Sequence, residues 1–261
     1  MSKPILGIIG GGQLGSMLAA AAKKINIKTV IFCDDPDAPG QKFSDEFICE
    51  KYDDQNAIDQ FINAVDIITF EFENIPYETL KKINNVKPVV PHPSINKIVQ
   101  NRLTEKDFLN KLNIRTTQYT SVNNLKDIFS NENLIPGLLK TCTLGYDGKG
   151  QYKINSIKEL TNENINFNNK YILEKLVKLK KEISVIITRF KDEKCEIYEP
   201  IENTHEDQIL KHSKIPADIN ENILEQSKKW SKMIAEELKY IGTLCVEFFI
   251  DKNDNLYVNE I

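Results

Sequence analysis

Over its first hundred residues the chain alternates between short β-branched runs and stretches of helical composition, and this alternation restricts the fold more than any other feature. Pro4–Ile9, Lys28–Cys33 and Asp66–Phe72 read as strands, with Pro88–Val90 a shorter one. Gln13–Lys24, Asn56–Ala64 and Pro76–Ile83 read as the helices between them, the first with Met17, Leu18, Ala21 and Ala22 along one face. A β-α-β-α-β succession implies a parallel sheet with right-handed crossovers.

Beyond residue 100 the pattern changes. Arg102–Leu112 reads as a helix that carries a T-x-x-D from Thr104 to Asp107, in the manner of a capping box. Short strands are expected at Thr116–Thr120, Gly137–Thr141, Gln151–Asn155 and Tyr171–Glu174, with Ser121–Glu132 and Thr161–Asn169 as surface connections. Glu182–Phe190 and Lys194–Pro200 form an expected antiparallel pair turned at Lys191–Glu193. A long helix, Ile219–Leu238, precedes Thr243–Ile250, the turn Asp251–Asn255 and a last strand, Leu256–Ile261. The fold class is therefore α/β followed by α+β.

Charge and cysteine usage narrow the functional classes. With 34 basic against 38 acidic residues the formal charge is -4, which provides no basic footprint for nucleic acid. No apolar run approaches the roughly 20 residues that span a bilayer, and glycines interrupt the N-terminal apolar stretch where a signal sequence would need it. Cys33, Cys49, Cys142, Cys195 and Cys245 form no C-x-x-C and read as reduced thiols of a cytoplasmic protein. His92, His205 and His212 lack metal-ligand spacing, which argues against zinc.

Four motifs carry chemistry. Gly10–Gly15 (GGGQLG) lies between a strand and a helix, and Asp34 follows the next strand, as in a dinucleotide site. The same glycines serve equally for a tight turn, or for another phosphate at the helix N-terminus. Lys140 ends a strand shortly before the loop Gly145–Gln151 (GYDGKGQ), whose Gly145, Gly148 and Gly150 free backbone N–H groups to wrap phosphate oxygens. Lys149 adds a second cation, and Asp147–Gly148 alone also suits a plain hairpin turn. Glu174–Val177 closes an apolar strand along whose edge a flat base can lie, with Glu182 available to ribose hydroxyls. Glu247 sits in an apolar strand and Glu260 in its hairpin partner. Beside Asn259 they suit Mg²⁺, or else simply face water.

In this order the motifs resemble the ATP-grasp ligases, and most closely the 5-(carboxyamino)imidazole ribonucleotide synthases. The resemblance rests on GIIGGGQLGSML, TFEFENIP, NRLTEKDFLNKL, LLKTCTLGYDGKGQ, EKLV with KEISVI, ENTHEDQIL and FFIDKNDNLYVNEI, from near residue 5 to the last. It implies a Rossmann-like pre-ATP-grasp domain over 1–100 and an ATP-grasp domain over 101–261, with a lid at about 116–177 and a final, incomplete subdomain at 178–261. It implies an ATP site of Arg102, Lys140, Gly145, Tyr146, Asp147, Gly148, Lys149, Gly150, Gln151, Glu174, Lys175, Leu176, Val177, Glu182, His205, Asn259 and Glu260. Lys140, Tyr146 and Asp147 would take the catalytic part, and Glu247 and Glu260 would hold Mg²⁺. Gly12, Gln13, Leu14, Glu71 and Asn74 would bind the ribonucleotide substrate, so the first glycine motif needs no NAD. The implied reaction is carboxylation of 5-aminoimidazole ribonucleotide by bicarbonate and ATP through carboxyphosphate, in purine biosynthesis, by a homodimer.

Two departures stand against this resemblance. Cys142 replaces a basic residue frequent in the family, and the chain stops before the family's A-P-R-x-H-N-S-G-H segment. A truncated ATP-binding remnant without turnover and a sister ligase with another acceptor are therefore alternative expectations. A nicotinamide-dependent oxidoreductase is a third, on Gly10–Gly15 and Asp34.

Overall fold

The β-branched runs of the first hundred residues do pair side by side. The computed structural model describes residues 3–71, 74–143, 150–160, 165–206 and 209–261, and divides into two units, Met1–Lys97 and Ile98–Ile261. In the first unit β1 (Leu6–Ile9), β2 (Thr29–Cys33), β3 (Glu46–Cys49) and β4 (Ile67–Phe70) form a parallel sheet in the order β3-β2-β1-β4. β3 was not expected, because its four residues alternate without a long apolar run. Pro88–Val90 contributes a single parallel bridge, Val89 to Ile68, and no strand. Prolines at 88 and 91 remove the ladder donors there.

Helices α1 (Gln13–Lys24), α2 (Gln55–Ala64) and α3 (Tyr77–Asn84) flank this sheet. Asp54 caps α2, its side chain accepting from Ala57 N. The core gathers Val30, Phe32, Ile58, Phe61, Ile68 and Leu80. α1 departs from the expected face, since Gly15, Ser16, Ala19 and Ala22 are buried while Leu14, Met17 and Leu18 are exposed. Small residues let this helix lie close to the strands, and the larger side chains turn outward.

After the short α4 (Asn96–Val99), α5 (Arg102–Lys111) opens the second unit's site. Asn101 caps it, accepting from Leu103 N and Thr104 N. The expected T-x-x-D box is not the cap. Thr104 already lies inside the helix, donating its hydroxyl to Ile98 O and Asn101 O, and Asp107 accepts from the Tyr119 hydroxyl at 2.6 Å.

β5 (Tyr119–Val122), α6 (Leu125–Phe129), β6 (Gly137–Thr141), β7 (Gln151–Ile154), α7 (Ile157–Leu160) and β8 (Tyr171–Lys175) follow. α6 carries a reciprocal capping box between Asn124 and Asp127 inside the expected surface connection. The four strands form an antiparallel sheet ordered β5-β8-β6-β7 around Val122, Leu139, Ile154, Tyr171 and Leu173.

A six-stranded sheet completes the unit: β9 (Leu179–Arg189), β10 (Cys195–Ile197), β11 (Ile201–Glu206), β12 (Ile209–Lys214), β13 (Gly242–Asp251) and β14 (Leu256–Glu260). Its order is β12-β11-β9-β13-β14, with β10 on β9, and all these pairings are antiparallel. β11 and β12 were not foreseen as strands; their polar sequences, IENTHE and ILKHSK, hide the strand period.

α8 (Glu221–Glu237), capped by Asn220, packs on this sheet through β9, β10 and β13. In β9 and β13 alternate positions are buried: Ile183, Val185 and Ile187 in one, Val246, Phe248 and Ile250 in the other. Each such side chain contributes roughly 1.5–3 kcal/mol on burial. The period of two leaves Glu182, Ser184 and Glu247 for the opposite face.

Candidate active site

Polar side chains from α5 and β6, with Thr117, converge on one buried carboxylate, Glu174 of β8. Its Oε2 lies 3.3 Å from Lys140 Nζ, 3.5 Å from Lys106 Nζ and 3.1 Å from the Thr117 hydroxyl, which donates to it. Glu174, Lys106 and Lys140 are all buried. Burial alone would raise the Glu174 carboxyl, but Lys140, then Lys106, Thr117 and Arg102 outweigh it and hold the pKa at about 2. Glu174 Oε1 is buried and meets no hydrogen-bond partner among the described residues.

Lys140 is placed by strand pairing, opposite Ile172 of β8 and Gln151 of β7. Beyond it Thr141 N donates to Gly150 O at 2.9 Å, and Gly150 takes a φ of +71°, where a Cβ would press on the Thr141 side chain. The rest of the expected phosphate loop, Gly145, Tyr146, Asp147, Gly148 and Lys149, lies outside the described residues. Cys142 is buried, its thiol pushed up to about 11 by that burial, and its carbonyl accepts from Arg102 N at 2.9 Å. Its backbone thus fixes the start of α5.

The last two residues of β14 and the residue after it are gripped by α5. Arg102 Nη1 lies 2.9 Å from Glu260 Oε2, Lys106 Nζ donates to Asn259 O at 3.4 Å, and Ile261 N donates to Glu105 Oε1 at 2.7 Å. Glu260 stands opposite Glu247 across the β13–β14 pair, beside a register shift. Burial and then the Glu260 charge push the Glu247 carboxyl up to about 7, Glu182 adding to the effect while His205 and the Asn259 side chain oppose it.

Two carboxylates forced together with an amide beside them are a donor set for a hard divalent cation, which would relieve that repulsion. Among the described residues no cluster of three or more His, Cys, Asp or Glu that could hold a metal ion is present.

On the same sheet, Glu182 of β9 faces Asn203 of β11 and Phe249 of β13, while Ser184 faces Glu247. His205 Nδ1 lies 2.7 Å from Glu182 Oε2, a close approach without the direction of a hydrogen bond. The structure therefore brings Glu182, His205, Glu247 and Glu260 onto one polar surface, with Lys140, Glu174 and Arg102 joined to it through β14. After Glu174, the amides of Lys175 and Leu176 already donate to Gln118 O and Pro136 O. Neither amide is left for a base edge, and Val177 is the next one along.

In the first unit the glycine motif closes on Glu71. Gly12 N donates to Glu71 Oε1 at 2.9 Å, and Glu71 N donates to Ile9 O. Gly10 has a φ of +100°, and a Cβ there would stand 2.7 Å from Glu71 Oε1. Gln13 and Leu14 are exposed at the start of α1, and Asn74 follows β4. Asp34 lies just past β2, with a glycine turn already filled by a carboxylate.

At Gly15 a Cβ would sit 2.5 Å from Gly10 O, which is backbone and cannot move aside. Gly15→Ala should therefore destabilise the chain by roughly 1–3 kcal/mol, read from its urea midpoint by circular dichroism; an unchanged midpoint would contradict this packing.

Glu105, Lys106 and Thr117 belong to the site and were absent from the sequence expectation. Their signal was available. Leu109 is a core position, and residues three and four before it share its helix face. An acid and a base on that face must be buried, and buried charges require partners.

Comparison with known proteins agrees with this geometry. Residues 2–100 match the ribonucleotide synthetase preATP-grasp domain model, and residues 107–261 match the ATP-grasp domain model. The N5-carboxyaminoimidazole ribonucleotide synthase of Staphylococcus aureus (strain MRSA252) is 38% identical over 260 residues, which cover 98% of this chain and 69% of that protein. The chain belongs to the N5-carboxyaminoimidazole ribonucleotide synthase family. The Brucella melitensis member is 36% identical, with 98% and 72% of the two chains covered. A crystal structure of the Staphylococcus aureus enzyme complexed with ADP superposes with a TM-score of 0.92 at 36% identity, over 98% of this chain and 69% of that one. The fold is accordingly a pre-ATP-grasp domain followed by an ATP-grasp domain, with ATP as the family's nucleotide.

Proposed function

We propose that the chain carboxylates 5-aminoimidazole ribonucleotide at its exocyclic amine, using ATP and bicarbonate. The observation that carries this reading is the cluster of Lys140, Glu174, Arg102 and Glu260, in a chain whose relatives bear the name of that synthase. A bicarbonate oxygen attacks the γ-phosphorus, ADP leaves, and carboxyphosphate forms. The amine, or a CO₂ released at the site, then completes the new C–N bond; phosphate departs and the amine loses a proton.

Each demand is assigned to residues of this chain. Glu174 Oε1, a buried acceptor, receives a donor such as an adenine amino group, and the Val177 amide reads the base edge. Glu182 and His205 are offered to the ribose. Lys140, Arg102 and the glycine loop Gly145–Gln151 neutralise phosphate oxygens and the charge that develops on the transferred group. Tyr146 and Asp147 are assigned to that loop's catalytic part.

Glu247, Glu260 and Asn259 would hold Mg²⁺, which supplies charge neutralisation across the phosphates when bound. Gly12, Gln13, Leu14, Glu71 and Asn74 are assigned to the ribonucleotide. A homodimeric, cytoplasmic enzyme is part of the same reading.

The test is ADP release by the purified chain. It should require bicarbonate and 5-aminoimidazole ribonucleotide together; release supported equally by formate, or unaffected by the ribonucleotide, would overturn the reading. Glu260→Gln should raise the half-saturating Mg²⁺ concentration by roughly tenfold while costing less than about 1 kcal/mol of stability, since its ion pair is partly exposed. A variant that loses its fold with Mg²⁺ dependence intact would assign Glu260 a structural part only.

A further inference from the structure

We infer that Lys106 is a positioning residue of the nucleotide site, a single buried ammonium that sets Glu174 and the Asn259–Glu260 strand in register with each other. The inference rests on the ATP-site reading above and adds a group to it.

Lys106 lies in the second turn of α5 and is almost wholly buried. Its Nζ reaches two groups on different sheets: Glu174 Oε2 on β8 at 3.5 Å and the Asn259 carbonyl on β14 at 3.4 Å. Lys140 approaches the same oxygen of Glu174 at 3.3 Å, so one carboxylate oxygen carries two ammonium neighbours.

A lysine retained only for stability is a poor explanation of this arrangement. A buried ion pair commonly adds nothing over a well-packed apolar side chain, and Glu174 already has Lys140 and Thr117. Among the described residues, Lys106 reaches within 3.5 Å of both the carboxylate at the end of the site assigned to the base and the strand assigned to the metal. The flanking residues repeat the pattern: Arg102 takes the Glu260 side chain and Glu105 the Ile261 amide. Arg102, Lys106 and Lys140 thus set three cations against Glu174 and Glu260. Glu105, buried and near the Glu260 charge, has its carboxyl pushed up to about 8, while burial, with Lys140 beside it, draws the Lys106 ammonium below its ordinary value.

The experiment compares the full chain with Lys106→Met, Lys106→Gln and Lys106→Arg by calorimetry with MgATP, by Mg²⁺ titration of ADP release, and by ribonucleotide binding as a control on the first unit. Lys106→Gln keeps a donor and serves if Lys106→Met fails to fold. The expected result is a MgATP dissociation constant raised by roughly tenfold together with a raised Mg²⁺ requirement, ribonucleotide affinity within about twofold of the parent, and substantial recovery in Lys106→Arg. A folded Lys106→Met or Lys106→Gln with MgATP affinity and Mg²⁺ dependence both within about twofold of the parent would overturn the inference. A parent chain that itself binds no MgATP would overturn the nucleotide-site reading instead.

Discussion

Lys140→Ala binds MgATP roughly 100-fold more weakly than the parent chain, a loss of about 2.7 kcal/mol, and remains folded. The expectation follows from where Lys140 sits. It is the penultimate residue of β6, is held by pairing to β7 and β8, and stands shortly before the glycine loop. Its ammonium is one of two on Glu174 Oε2, so its removal leaves Glu174 with Lys106 and Thr117 and spares the fold the full cost of an uncompensated charge. The phosphates have no such replacement among the described side chains of β6. Calorimetry with MgATP, beside a thermal melt, separates the two effects. A folded variant with parental affinity would remove Lys140 from the nucleotide site.

Glu174→Gln has the opposite balance and gives the largest stability effect. Two buried ammonium groups, Lys106 and Lys140, then lose their shared counter-charge, and breaking buried pairs of this kind costs about 3–5 kcal/mol. The pH dependence has a definite sign. The folded-state carboxyl, at about 2, lies below its ordinary value of 4.5. Its contribution is therefore fully present above about pH 5 and is lost as the pH falls through 4.5 toward 2, with about 3 kcal/mol at stake. The gap in urea midpoint between parent and variant should be widest near neutrality and should narrow to less than about half as the pH falls from 5 to 3. A gap that stays constant over that range would mean the folded carboxyl is not held down by its lysines.

The sequence revealed those parts of the fold whose side chains follow a regular period. β1, β2, α2 and α8 alternate or repeat in ways that burial enforces, and they lie where expected to within a few residues. β3, β11 and β12 were missed because their strand faces are polar or short, so that pairing with a neighbour rather than hydrophobicity holds them. The outward turn of Met17 and Leu18 arises from the glycine and alanine face of α1, where close helix–sheet approach outweighs side-chain size. In the site, Glu174, Lys140 and Glu260 were noticed in separate motifs, and Arg102 only through the family resemblance. Their meeting on one oxygen and one strand depends on the placement of α5 across two sheets, which no local pattern encodes. Glu105 and Lys106 were overlooked for a related reason: charged residues in a helix ordinarily face water, and only the burial of Leu109 one turn later betrays them.

The chemistry itself can be read from the fate of a single oxygen. Turnover with bicarbonate labelled in all three oxygens with ¹⁸O, ATP and 5-aminoimidazole ribonucleotide should release inorganic phosphate carrying one ¹⁸O, seen as an isotope shift in its ³¹P resonance. Transfer of the γ-phosphoryl group to bicarbonate requires that oxygen to leave with phosphorus. Release of ADP with wholly unlabelled phosphate would mean that water, and not bicarbonate, attacks the nucleotide, and would contradict carboxylation through carboxyphosphate by this chain.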